Sequence, residues 1–163
     1  MANRAKKEIS IFLDACEHTQ YGFQGGPVRG GDGYEDPYEW EIRIAGPPDT
    51  PYAEHAFWVR VSLPQQFPFE PPALQFRAPF WHCNVDPTNW RVQVLALREW
   101  STALTVVDYL ESLFELMKIP CRPGIRPVNE DAASVYRRST EEHSDQVLAH
   151  VIQHGESDSD DDE

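Results

Sequence analysis

The chain has 163 residues, 40% hydrophobic and 25% charged, with a net charge of −13; this suffices for one domain with a substantial core and disfavours direct binding to nucleic-acid phosphate. No apolar run approaches the ~18 residues that cross a bilayer, and the basic start Arg4-Ala5-Lys6-Lys7 has no signal-type apolar stretch behind it, so a cytoplasmic or nuclear protein without membrane contact is expected. Cys16, Cys83 and Cys121 are odd in number and lack CxxC spacing, so neither a disulfide framework nor a metal site is expected, and no cofactor is implied.

Ile9, Phe12, Leu13 and Cys16 fall at helical spacing and predict a first helix with Arg4, Lys6 and Lys7 in its opening turns. The glycine-rich stretch from Gly22 to Gly33 lacks the spacing of a phosphate-binding loop and reads as a flexible loop. Trp40, Ile42 and Ile44 then alternate with charged residues, as do Phe57, Val59, Val61 and Leu63, and Ala73 to Phe76 continues the pattern. These segments, separated by Pro and Gly turns, predict an antiparallel meander.

After Trp100 the period turns helical, with Val107, Leu110, Phe114 and Met117 on one face and Thr105 placed to cap with Asp108. A short helix is predicted over Asp131 to Arg138. Ser139-Thr140-Glu141-Glu142 reads as a capping box for a last helix carrying Val147, Leu148, Val151 and Ile152. Residues 1–154 are expected to be the folded domain and 155–163 a disordered acidic tail. In that tail Ser157 and Ser159 each precede an Asp by three residues, a pattern that suits an acidophilic kinase; the other reading is a solubilising extension.

Four strings carry a family resemblance: Gly46-Pro47-Pro48-Asp49-Thr50-Pro51-Tyr52, Phe67-Pro68-Phe69-Glu70-Pro71-Pro72, His82-Cys83-Asn84, and Trp100-Ser101-Thr102-Ala103-Leu104-Thr105. In this order and spacing the chain, over residues 4–153, resembles the ubiquitin-conjugating enzymes. The resemblance implies an α+β fold with an N-terminal helix, a four-stranded antiparallel meander, a central helix and two C-terminal helices. It also implies a structural role for His82 and, for Asn84, a hydrogen bond to the oxyanion of thioester aminolysis.

Counting ten residues on from His82, the family's acyl-accepting cysteine falls on Val92 and its nearby acidic residue on Val94. A hydrocarbon forms no thioester. The resulting expectation is a pseudoenzyme acting as a scaffold or cofactor in ubiquitin transfer, with a remnant site of His82, Asn84 and Val92 in which Asn84 is a turn residue holding a loop by side-chain hydrogen bonds. It would bind a ligase subunit, an active conjugating enzyme or ubiquitin. Two alternatives stand beside it: transfer through a relocated thiol, Cys83 or Cys121, and a peptide-binding module whose emptied groove is walled by Phe80, Trp81 and Trp90.

The resemblance places ligase contacts at Phe69 and Ala103, with internal packing of Phe69 as the other reading. Arg4, Lys6 and Lys7 resemble the basic first-helix face that activating enzymes recognise, here left to serve a ligase or a partner conjugating enzyme, or form a solvated helix end.

Overall fold

A computed structural model describes residues 2–18 and 21–157. Helix α1 (Ala2–His18) leads into strands β1 (Gln24–Arg29), β2 (Glu35–Ala45), β3 (His55–Ser62) and β4 (Ala73–Phe76). A single 3-10 turn (Val94–Ala96) precedes helices α2 (Val106–Met117), α3 (Glu130–Arg138) and α4 (Thr140–His154), and a two-residue strand β5 (Glu156–Ser157) follows. The sheet runs β1-β2-β3-β4, all antiparallel, and β5 pairs with β3. The expected α+β arrangement of one leading helix, a four-stranded meander, a central helix and two further helices is the one observed.

Alternation decides which face of the sheet is buried. Trp40, Ile42 and Ile44 of β2, Val59 and Val61 of β3, and Leu74 and Phe76 of β4 join one core with Leu110, Leu113 and Phe114 of α2. The opposite face carries charge: the Arg60 guanidinium donates to Glu39 at 2.9 Å and to Glu41 at 3.2 Å, and Arg77 donates to Glu41 at 2.8 Å. Helix α2 starts as its sequence predicts. The Thr105 hydroxyl accepts from the Asp108 amide and the Asp108 carboxylate accepts from the Thr105 amide, a complete capping box. At α4 only half the expected box forms: the Ser139 hydroxyl accepts from the Glu142 amide, while the Glu142 carboxylate is held by Arg138 at 2.7 Å.

Four details depart from the sequence reading. The glycine-rich stretch contains β1 rather than a flexible loop, and Gly25, at φ 115°, lies so close to β2 that a Cβ there would collide with the Glu41 carbonyl. Residues of α1 that turn fully inward are Ala5, Glu8 and Phe12, whereas Leu13 is 49% exposed. On α4, Val147 and Val151 are buried but Leu148 and Ile152 are exposed. Finally, Glu156 and Ser157 pair with Ala56 and His55, so ordered backbone runs past Gly155 into the acidic segment. Ser159 lies outside the described residues.

Candidate functional site

The site is built where the chain returns from β4 to the core. His82 is wholly buried. Its Nε2 faces the carbonyls of Leu116 at 3.1 Å and Ile119 at 2.8 Å, while Nδ1 accepts from the Asn84 amide at 2.9 Å. Only a neutral ring with its proton on Nε2 meets these partners. Burial, far more than any charge, lowers its pKa to about 4. His82 ties the 82–84 turn to the C-terminal end of α2.

A neutral histidine with a folded pKa below its ordinary value stabilises fully above pH ~6.5 and progressively less as pH falls toward 4. The expected loss over that window approaches about 3 kcal/mol. Urea denaturation at pH 7 and pH 4.5 measures it, and a His82→Gln variant should show a distinctly shallower pH dependence. Equal slopes in the two proteins would refute this role for the ring.

Asn84 is buried, and both ends of its carboxamide are engaged. Oδ1 accepts the Arg122 amide at 3.1 Å and Nδ2 donates to Gln93 Oε1 at 3.0 Å. Gln93 in turn donates its backbone amide to the Asn84 carbonyl at 2.8 Å and its side-chain amide to the Arg126 carbonyl at 2.7 Å. The residue whose side chain meets Asn84 is thus Gln93.

Val92, expected there, is 5% exposed, bridges to Val85 and donates its amide to the Leu74 carbonyl. Its side chain belongs to the core. The cause of the one-residue slip is the turn over residues 86–91, closed by Trp90 N–H to Asp86 O at 2.7 Å and Asp86 N–H to Arg91 O at 2.9 Å, with Trp90 at φ 61°. Counted from this register, the position two beyond is Leu95, which is 75% exposed, rather than Val94. A pair of carboxamides is neutral and, at ordinary pH, neither nucleophile nor general base; it orients and binds.

The thiols lie elsewhere, and the expectation of no disulfide is corrected. Cys83 is bonded to Cys121, with Cα atoms 5.3 Å apart, a separation that suits the bond. Sequence alone could not bring them together, because the chain between them includes all of α2. The Asn129 amide adds a hydrogen bond to the Cys83 carbonyl at 2.9 Å. Cys16 is the free cysteine, its pKa raised by burial and then by Glu17. Among the described residues no group of three or more His, Cys, Asp or Glu could hold a metal ion.

The residues matched to partner contacts converge at the far end of the sheet. Phe69 is 70% exposed on a turn that holds a cis Phe67–Pro68 peptide, and Ala103, Lys6 and Lys7 are exposed. Trp100 Nε1 donates to the Pro68 carbonyl at 2.8 Å, joining the two turns. Arg4 is not a free cation on this surface. It pairs with Glu8 at 3.0 Å, donates to the Leu104 carbonyl at 2.9 Å and lies 5.5 Å over the Phe67 ring.

Glu8, wholly buried, also accepts the first amide of α2, from Val106, at 3.1 Å. The sequence reading missed Glu8, although its spacing of four from Arg4 was a usable signal. Phe80 stacks on Phe76 and Tyr52, and Trp81 stacks on His150 at 5.0 Å, so these rings fill the interior rather than wall an open groove.

The sequence model of the family described as "Ubiquitin-conjugating enzyme" matches residues 4–151. A relative named ubiquitin-conjugating enzyme E2 13, from Arabidopsis thaliana, is 29% identical over 150 residues, covering 82% of this chain and 85% of the relative. The E2 domain of a Toxoplasma gondii ubiquitin-conjugating enzyme has the same fold, with a TM-score of 0.77 and 24% identity, over 94% of this chain and 98% of that one. These matches overturn the expectation that the chain is no enzyme, since both the matched family and the relatives are enzymes by name. The residue that carried that expectation, Val92, is a core side chain.

Proposed function

This chain belongs to the ubiquitin-conjugating enzyme family, and from that premise we propose that it serves ubiquitin transfer by holding partners together, chiefly a ligase subunit, with an active conjugating enzyme or ubiquitin itself as further partners. The observation behind this reading is Phe69. A large apolar ring at 70% exposure, carried on a proline-stiffened turn and flanked by exposed Ala103, loses little conformational freedom on docking. Exposed Lys6 and Lys7 add positive charge at the same end of an otherwise acidic protein. The Phe69→Ala variant is expected to bind a recognised RING domain about 30-fold more weakly, the scale of a central aromatic contact. Titration of a panel of purified RING domains against both proteins tests it, and unchanged affinity throughout the panel would remove the docking claim.

A second reading has its own observation. Arg122, the neighbour of Cys121, donates its amide to Asn84 Oδ1 at 3.1 Å, which sets a reduced Cys121 beside the asparagine. Transfer would then run through the chain's own thiol. Incubation with activating enzyme, ATP and ubiquitin separates the readings: a thiol-sensitive adduct lost in Cys121→Ser favours the second. RING binding that persists in the same variant favours the first.

A further inference from the structure

Of the six histidines, His150 and His154 stand four apart on α4 and so share one side of that helix, beside the buried Val147 and Val151. Their ring centroids are 6.0 Å apart. Among the described residues neither imidazole has a hydrogen bond or an ion pair, and His150 Nδ1 is buried without a partner. By contrast, His82 is tied to two carbonyls, His55 Nδ1 lies 3.0 Å from the Ala53 carbonyl and His18 lies 3.6 Å from Asp14.

Trp81 covers one face of His150, with centroids 5.0 Å apart and planes 18° from parallel, and so steadies that ring. His154 edges a cavity of about 250 Å³ that it shares with Phe57, Phe76 and Glu156. Burial, and then the neighbouring His154, push the His150 pKa below its ordinary value, so this imidazole is neutral at pH 7 and keeps a lone pair on one nitrogen. A metal–imidazole bond is about 2.0–2.1 Å, so two rings on one ion have centroids roughly 5–6 Å apart. The observed pair has that spacing. Two histidines one helical turn apart are also the chelating unit of helical zinc sites, although Val151 stands here where a metalloprotease has its catalytic glutamate.

We propose that His150 and His154 bind a divalent transition-metal ion of the zinc and copper class, one nitrogen from each ring, with water in the remaining positions. Imidazole selects these ions over Mg²⁺ and Ca²⁺, which take oxygen ligands. An ion there clamps the last turn of α4, just before Glu156 joins β3. The inference is independent of ligase docking at Phe69.

The test is calorimetric titration of the full-length protein with ZnCl₂ and with CuCl₂ in a buffer that does not bind metal. One saturable ion per chain is expected, held more tightly for Cu²⁺ than for Zn²⁺ and undisturbed by excess Mg²⁺. His154→Ala should weaken binding by about 10-fold or more, whereas His18→Ala and deletion of residues 158–163 should each change it by less than about 2-fold. Thermal unfolding of each variant is measured alongside. Proton NMR of the unsubstituted protein locates the ion without any variant: on adding Zn²⁺ the imidazole signals of His150 and His154 should shift while those of His82 stay in place.

Unchanged affinity in His154→Ala would overturn the proposal, as would the absence of saturable binding by either ion. Zn²⁺ shifts confined to His18, which has Asp14 four residues before it, would overturn it by moving the site to α1. Loss of binding on removing residues 158–163 would do so as well, by making the acidic end the ligand.

Discussion

Replacing Gln93 by cysteine is expected to create a position that accepts ubiquitin as a thioester, while cysteine at Val92 is expected to stay uncharged. At Gln93 the side chain meets Asn84 Nδ2 at 3.0 Å, so a thiol there would stand beside a carboxamide able to donate to the oxyanion of acyl transfer. Donors of that kind are worth about 10²–10³ in rate. At Val92 the side chain is 5% exposed and packed in the core, where a thiol is protonated and out of reach. Charging each variant with activating enzyme and ATP, then mapping the acylated residue by mass spectrometry, distinguishes the new thiol from Cys16, Cys83 and Cys121. Adding Asn84→Ala to Gln93→Cys should slow discharge to a lysine acceptor by the factor above. Charging at residue 92 but not at 93 would refute the register described here.

The Glu8→Ala variant is expected to lose about 2–3 kcal/mol of stability, since it strands a buried helix-terminal amide and an arginine that is only part-buried. The carboxylate is wholly buried and does two things at once: it holds Arg4 at 3.0 Å and accepts the first amide of α2 at 3.1 Å. Removing it uncovers a helix-terminal donor and unseats the guanidinium that supports Leu104 and Phe67. Glu8→Gln keeps the shape and one acceptor, so its loss should be clearly smaller. Urea unfolding of the three proteins gives the values, and a loss below about 1 kcal/mol for Glu8→Ala would show that the network contributes little.

Local chemistry made much of the fold legible. Alternation located β2, β3 and β4, and the Thr105–Asp108 pair marked the start of α2, because both signals depend on nearest neighbours in one element. Strand β1 escaped because glycine has no side chain to alternate; what holds Gly25 in the sheet is the absence of a Cβ against Glu41, a long-range fact. The first helix was assigned by apolar spacing, and so its most buried polar residue, Glu8, went unseen.

The site itself was legible in its fixed parts and not in its register. His82 and Asn84 take the positions their motif implies, yet the spacing from His82 to Trp100 cannot say where within it a residue is taken up. The left-handed Trp90 in the 86–91 turn absorbs one, and the 3-10 turn over Val94–Ala96 returns the chain to Trp100. The Cys83–Cys121 bond was equally out of reach, being a contact between segments 38 residues apart.

The pairing of Glu156 and Ser157 with Ala56 and His55 fixes both residues at the beginning of β3. Phe69 follows the other end of that strand, which is about 23 Å long for seven steps of extended chain. Glu156 and the aromatic knob thus belong to opposite ends of one strand.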